Sequence, residues 1–224
     1  MEKMKNINTY IDHTLVSRDP VSKDLDKAVN DAIKYKFKGV CVTPVWIDYV
    51  QERLHANNVL VVTVIGFPYG QFTTETKIFE AKDALKRGAD ELDFIINVSK
   101  VHEKDEAYLK KELKEIREAT KGTTIKLILE TGLLNDEEKK FAAKLGVDAG
   151  FNFIKTSTAV GTTGATVHDV ELIYAITKGK SKIKASGGIK TIKSAEEMIA
   201  AGADRIGTSN GVSLIEGTEA TSHY

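Results

Sequence analysis

The chain of 224 residues is short of several things. It has one cysteine, Cys41, so no internal disulfide can form. Lysine plus arginine number 32 and aspartate plus glutamate number 32, so no net field draws the protein to nucleic acid or to an anionic membrane surface. The longest apolar run, VLVVTVIGF, is far too short to span a bilayer, and the opening MEKMKNINTY lacks the apolar stretch of a secretory signal. Low-complexity blocks and shifts of composition that would mark a linker are missing too. These absences predict a cytoplasmic, soluble protein with a small partner, no nucleic acid and no membrane. A hydrophobic content of 42% in a chain of this length is enough for a sizeable core, most economically one domain over 1–224.

What is present is repetition. RGADELDFII (87–96) is echoed by AGFNFIKTS (149–157) and AGADRIGTS (201–209), with KFKGVCV (36–42) as a looser fourth copy. Each puts glycine just past a helix and a strand just past the glycine, the pattern of an αβ connection. Helical periodicity fills the intervening stretches, among them DLDKAVNDAIKY, TTETKIFEAKDALKRG, DEAYLKKELKEIREAT, DEEKKFAAKLG, VHDVELIYAITKG and SAEEMIAAG, and their charges read as solvated faces. Eight strands are expected: YIDHT, GVCVT, LVVTVIG, ELDFIIN, IKLILE, NFIKTS, KIKAS and DRIGTS. Eight strands alternating with helices predict an α/β fold, a (β/α)8 TIM barrel, with a doubly wound open sheet as the alternative.

Alternation within the strands sorts their side chains. If Leu92, Phe94 and Ile96 face the helices, then Glu91, Asp93, Ile95 and Asn97 face inward; the same count places Lys126, Glu130, Phe153, Lys155, Lys182, Lys184 and Ser186 inside, with Asp12 and Thr14 sharing a face. The predicted interior therefore sets Asp12, Asp93 and Glu130 against Lys126, Lys155 and Lys184. An interior built for stability alone would be filled with Val, Ile and Leu, because buried charge is costly.

A lysine attacks carbonyls only as the free amine, whereas its ordinary pKa of about 10.4 keeps it protonated at neutral pH. Burial and a second nearby cation both favour the free amine, and Lys155 and Lys184 on adjacent strands supply both. Such an amine forms a Schiff base that activates the neighbouring carbon, and Asp93 can serve proton transfer in the same space. A structural ion-pair network is the competing reading of these charges. KASGGIK (184–190) and GTSNGVSLIEG (207–217) end the last two strands in small, glycine-containing loops, where barrels commonly bind phosphate.

The segments IDHT, GVCVTP, VIGFPYG, GADELDF, LILETG, FIKTST, KASGGIK and IGTSNGV resemble the deoxyribose-phosphate aldolase family in order and spacing, over nearly the whole chain. The resemblance implies a lyase of class I that reversibly cleaves 2-deoxy-D-ribose 5-phosphate to D-glyceraldehyde 3-phosphate and acetaldehyde in deoxyribonucleotide catabolism. It implies no metal and no cofactor, and a homodimer. By position it assigns Lys155 to the Schiff base, Lys184 to its perturbation, Asp93 to acid–base transfer, and Asp12 and Lys126 to support. Gly187, Gly188, Gly207 and Ser209 fall at the phosphate-binding positions, and Tyr224 matches a terminal tyrosine that can reach the pocket. Two positions depart from the family: Ala159 follows Thr158 where glycine is common, and Asn210 replaces a smaller residue.

Other readings without covalent chemistry stay open on the residues alone, namely an enolisation or isomerisation with Asp93 as base, and a barrel that only binds a phosphorylated metabolite. Cys41 reads as a core or pocket residue, since no histidine is placed to activate it. His13, out of phase with Asp12, is expected to pack outside the barrel, Trp46 and the Phe-Pro of VIGFPYG to pack or stiffen, and the five histidines have no metal-ligand spacing. Thr166 and Asp169 have the spacing of a capping box, which makes STAVGTTGA plausible as an ordered loop over the pocket.

Overall fold

A computed structural model describes residues 2–218. Eight parallel strands close into a barrel in chain order. They are β1 (Ile11–Leu15), β2 (Gly39–Val42), β3 (Leu60–Ile65), β4 (Glu91–Ile95), β5 (Thr124–Ile128), β6 (Phe153–Lys155), β7 (Lys182–Ser186) and β8 (Arg205–Thr208). The closing pair is β1 with β8, which rules out the open sheet.

The helices are α1 (Ser22–Tyr35), α2 (Ile47–Leu54), α3 (Thr74–Lys86), α4 (Val98–His102), α5 (Glu106–Ala119), α6 (Asp136–Asp148), α7 (Val167–Thr177), α8 (Ile192–Ala200) and α9 (Gly211–Glu216). Six match the periodic stretches of the sequence; α2 and α4 do not, being too short for a 3.6-residue pattern to stand out. Side-chain caps mark several starts: Thr73, Asn97, Asp105, Asn135, Thr166 and Thr191 each accept from a backbone N–H one turn on. Asp169 N donates to Thr166 Oγ1 at 3.0 Å, so Thr166 caps α7; the Asp169 carboxylate pairs instead with Lys139 at 2.7 Å. The repeat glycines Gly88, Gly150 and Gly202 have φ of 101°, 82° and 119°, values that favour glycine and turn each helix back toward its strand.

The main hydrophobic core lies between barrel and helices, where Ile125, Leu127 and Ile154 of the strands meet Leu113 and Ile116 of α5 and Ala142 and Ala143 of α6. It also holds an ion pair that the helical pattern concealed. Lys77 of α3 and Glu112 of α5 are both buried, 3.0 Å apart, and Lys77 Nζ donates to the Ile95 carbonyl at 2.9 Å. The charges of these two helices are therefore not all solvated, as their sequences suggest.

Register stacks the barrel interior in three layers of four, each layer drawn from alternate strands, as expected of this architecture. The lowest contains Gly39, Glu91, Phe153 and Arg205; the middle, Asp12, Val62, Lys126 and Lys184; the uppermost, Cys41, Asp93, Lys155 and Gly207. Most such positions in a barrel core are aliphatic. Here seven of these twelve are ionisable acids or bases other than cysteine, and all seven are buried.

Candidate active site

The charges in these layers are joined into a closed ring. Arg205 donates to Asp12 Oδ1 at 2.7 Å; Asp12 Oδ2 lies 2.5 Å from Lys184 Nζ; Lys184 donates to Asp93 Oδ2 at 2.9 Å. From there Asp93 Oδ1 accepts from Lys126 at 2.8 Å, Lys126 lies 2.6 Å from Glu91 Oε2, and Glu91 accepts from both terminal nitrogens of Arg205, at 3.1 and 3.3 Å. Each carboxylate in the ring has a cation on either side. Lys155 is attached to the ring at one point, donating to Asp93 Oδ2 at 2.8 Å.

Burial alone would push the Asp93 carboxyl up, but Lys126, Lys155 and Lys184 together hold it well below the usual carboxylate range. Asp12 follows the same logic: burial opposes ionisation, yet Lys184 and then Arg205 bring it down to about 2. Lys184 is the mirror case, since burial favours its neutral form while Asp12 and Asp93 raise its pKa above that of a free lysine. Asp12, Asp93, Lys184 and Arg205 are thus held in their charged forms. Level with the lowest members of the charged ring the Phe153 side chain faces cations, with the Arg205 guanidinium 5.3 Å and Lys126 Nζ 5.6 Å from its centroid.

Above Lys155 the barrel opens into a narrow cleft. Its apolar wall is Val16, Cys41, Val64 and Phe67, and its polar wall is Ser186, Gly187, Gly188, Gly207 and Ser209. Gly187 and Gly188 have φ of 90° and 73°. A Cβ on Gly207 would come within 2.2 Å of Ser186 Oγ and 3.2 Å of Lys184 Cε, so only glycine fits above that lysine. Cys41 is fully buried, and burial raises its thiol pKa, so it forms wall and not nucleophile.

The loop after β6 crosses beside the cleft. Glu130 does not join the lysines as alternation predicted, because its backbone leaves the strand with φ of 61°. Its carboxylate instead accepts from Thr158 N at 3.2 Å, Thr158 Oγ1 at 2.5 Å and Thr162 Oγ1 at 2.8 Å, clamping the loop. Ala165 N closes its far end on the carbonyls of Ser186 and Gly187. Ala159, where the family commonly has glycine, takes φ of 63° and borders the cleft. Asn210 is buried, its N–H donating to Thr208 Oγ1 at 3.0 Å.

The remaining sequence expectations fall as follows. Asn97 turns out of the barrel to cap α4, and Lys182 is exposed at the start of β7 with Nζ 5.7 Å from the Phe153 centroid. His13 packs outside the barrel against Phe37, ring centroids 5.3 Å apart. Among the described residues no cluster of His, Cys, Asp and Glu could hold a metal ion, and no helix is long and apolar enough to cross a membrane. Tyr224 lies outside the described residues. Two ring members, Glu91 and Arg205, are not among the candidate residues that the sequence singles out. The internal repeat held the signal, since aligning GADELD, GFNFIK and GADRIG sets Glu91, Phe153 and Arg205 in one column and Asp93, Lys155 and Gly207 in another.

A model of the DeoC/LacD family aldolase matches residues 7–215. The chain is 48% identical over 211 residues to the deoxyribose-phosphate aldolase of Finegoldia magna, covering 94% of this chain and 99% of that one. Its fold is similar to that of the solved structure of QR15, an aldolase, with a TM-score of 0.90 at 39% identity over 95% of this chain and 96% of that one. The tetrameric deoxyribose phosphate aldolase of Aeropyrum pernix gives a TM-score of 0.86 at 32% identity over 97% and 92% of the two chains. The chain belongs to the DeoC/LacD family of aldolases.

Proposed function

We propose that the protein cleaves 2-deoxy-D-ribose 5-phosphate to D-glyceraldehyde 3-phosphate and acetaldehyde, reversibly, through a Schiff base on Lys155. The observation that carries this reading is the place of Lys155 on the ring. Lys126, Lys184 and Arg205 each touch two carboxylates and are enclosed, whereas Lys155 touches one and alone borders the cleft. The ring without Lys155 balances three cations with three carboxylates, so the free amine is the form of Lys155 that leaves the buried assembly neutral.

In the cleavage direction the amine adds to the C1 aldehyde, one proton is taken up from solvent through the cleft, and the carbinolamine hydroxyl leaves as water, giving an iminium. The 3-hydroxyl gives up its proton as the C2–C3 bond breaks; the bonding pair moves to C2 and quenches the iminium charge, leaving an enamine and glyceraldehyde 3-phosphate. Asp93 is suited to receive that proton because the loss of one adjacent positive charge at this step raises its proton affinity. Returned to the enamine carbon, the proton restores an iminium, whose hydrolysis frees acetaldehyde and Lys155. Lys184 stays an ammonium throughout and orients Asp93, with Asp12 and Lys126 fixed behind them.

The polar wall of Gly187, Gly188, Gly207 and Ser209 suits the phosphate, and the apolar wall of Val16, Cys41, Val64 and Phe67 suits the two-carbon fragment. An enolisation with Asp93 as sole base is disfavoured, because the ammonium groups of Lys126 and Lys184 hold that carboxylate ionised and make it a weak base in the resting site. Cleavage of a deoxysugar phosphate fits a role in deoxyribonucleotide catabolism. Borohydride reduction in the presence of acetaldehyde, followed by peptide mass mapping, tests the proposal. An ethyl group on Lys155 is expected; modification of Lys126 or Lys184 in its place, or none, would overturn it.

A further inference from the structure

Arg205 and Glu91 sit two layers below the lysine that borders the cleft, do not line the cleft, and close the ring. We infer that Arg205 is a positioning residue that, through Asp12 and Glu91, sets the charge balance under which Lys155 becomes a free amine. The inference rests on the reading of Lys155 as the imine-forming group.

The basis is charge compensation among buried groups. Among the described residues, every charged group facing Lys155 from inside the barrel belongs to the ring: Asp12 from β1, Glu91 and Asp93 from β4, Lys126 from β5, Lys184 from β7 and Arg205 from β8. β2 contributes only the Cys41 thiol, and β3 contributes Val62 and Val64. Of the four cations, Arg205 alone cannot shed its proton in any accessible pH range. It therefore commits Asp12 and Glu91 to the carboxylate form, and those two in turn commit Lys184 and Lys126 to ammonium. The surplus proton of the cluster is left with Lys155. A purely mechanical role for Arg205 would not depend on the sign of its charge, whereas compensation does.

This makes opposite predictions for two neighbours in direct contact. Arg205→Met removes a cation, so a neutral Lys155 leaves the cluster one negative charge in excess and the ammonium is retained. Glu91→Gln removes an anion and favours the free amine. The double variant restores the balance.

The test follows imine trapping on Lys155 with acetaldehyde and cyanoborohydride across pH 5 to 10, read by peptide mass. The pH at which trapping rises should move up by about one unit in Arg205→Met, down by a similar amount in Glu91→Gln, and back to the wild-type position in the double variant, on the scale of one buried neighbouring charge. Midpoints that do not move, move the same way in both single variants, or fail to return in the double would overturn the inference. Arg205→Met strips two carboxylates of a cation and can fail to fold; Glu91→Gln then decides alone, since its midpoint falls or the inference is wrong. Absence of any adduct on Lys155 of the wild type would instead overturn the Schiff-base proposal, so the two failures are distinguishable.

Discussion

Lys155 and Lys184 donate to the same oxygen: Asp93 Oδ2 receives the first at 2.8 Å and the second at 2.9 Å. Two ammonium groups on one carboxylate oxygen repel each other at short range among buried groups, and only one of them has a second anion to hold it charged. That one is Lys184, through Asp12.

Replacing Lys184 with leucine should therefore do more than empty a position. Its ammonium persists through the neutral and alkaline range, because Asp12 and Asp93 raise its pKa. Without it the free amine of Lys155 loses its nearest cationic competitor, and kcat/KM at neutral pH should drop by at least tenfold, with partial recovery as pH rises. A pH–rate profile of unchanged shape would show that Lys184 acts only by filling space.

Asp93→Asn keeps the volume and removes the charge on which three lysines converge. Turnover should fall roughly 10²- to 10⁴-fold, the range for losing a general acid–base group. The far-ultraviolet circular dichroism of the barrel should persist while the urea midpoint falls, since buried cations lose their partner. Turnover within a factor of a few of wild type would remove Asp93 from the proton transfer.

His13 predicts a pH dependence of stability that has nothing to do with the site. Burial brings its pKa down to about 4, against 6.5 for the free side chain. Protons thus bind the unfolded chain first, so this contribution is complete above pH 6.5 and is lost as pH falls from 6.5 through 4, at a cost of roughly 3 kcal/mol. Asp12, whose folded value is about 2, acts in a lower window, between the usual carboxylate value and 2. Urea unfolding between pH 7 and 4.5 should give a clearly flatter slope in His13→Asn; parallel slopes would mean that the imidazole is not buried neutral.

Ala159 holds a left-handed backbone conformation that glycine adopts without strain. Ala159→Gly should raise stability by up to about 1 kcal/mol, because relief of strain there outweighs the added freedom of the unfolded chain. Thermal unfolding checks this, and a lower melting temperature would show that the methyl packs well enough to offset its backbone cost.

The same alternation that was legible in the sequence also explains where reading it failed. Asp12, Asp93, Lys126, Lys155 and Lys184 lie inside because they occupy true strand positions, where period two is enforced by the ladder. Glu130 and Asn97 lie one or two residues past the last ladder bond, and there the backbone turns and the parity ends. Lys77 and Glu112 escaped because a helix pattern shows which residues are polar and not which polar residues meet across two helices. Arg205 was missed for another reason: a single arginine at a strand start carries no meaning until its neighbours in the layer are known.

β6 is three residues long, and its first and last, Phe153 and Lys155, face the lumen while Ile154 joins the outer core. Chemistry in this barrel is accordingly a matter of counting. Deleting one residue between Gly150 and Phe153 would slip the strand by a single step, turning Phe153 and Lys155 toward the helices and Ile154 inward, while every rung of the ladder could still form. The result would be a barrel of ordinary outline with an aliphatic lining at that strand and nothing for an aldehyde to meet. On the proposed reading, the short turn that starts β6 is as much a determinant of activity as the lysine that ends it.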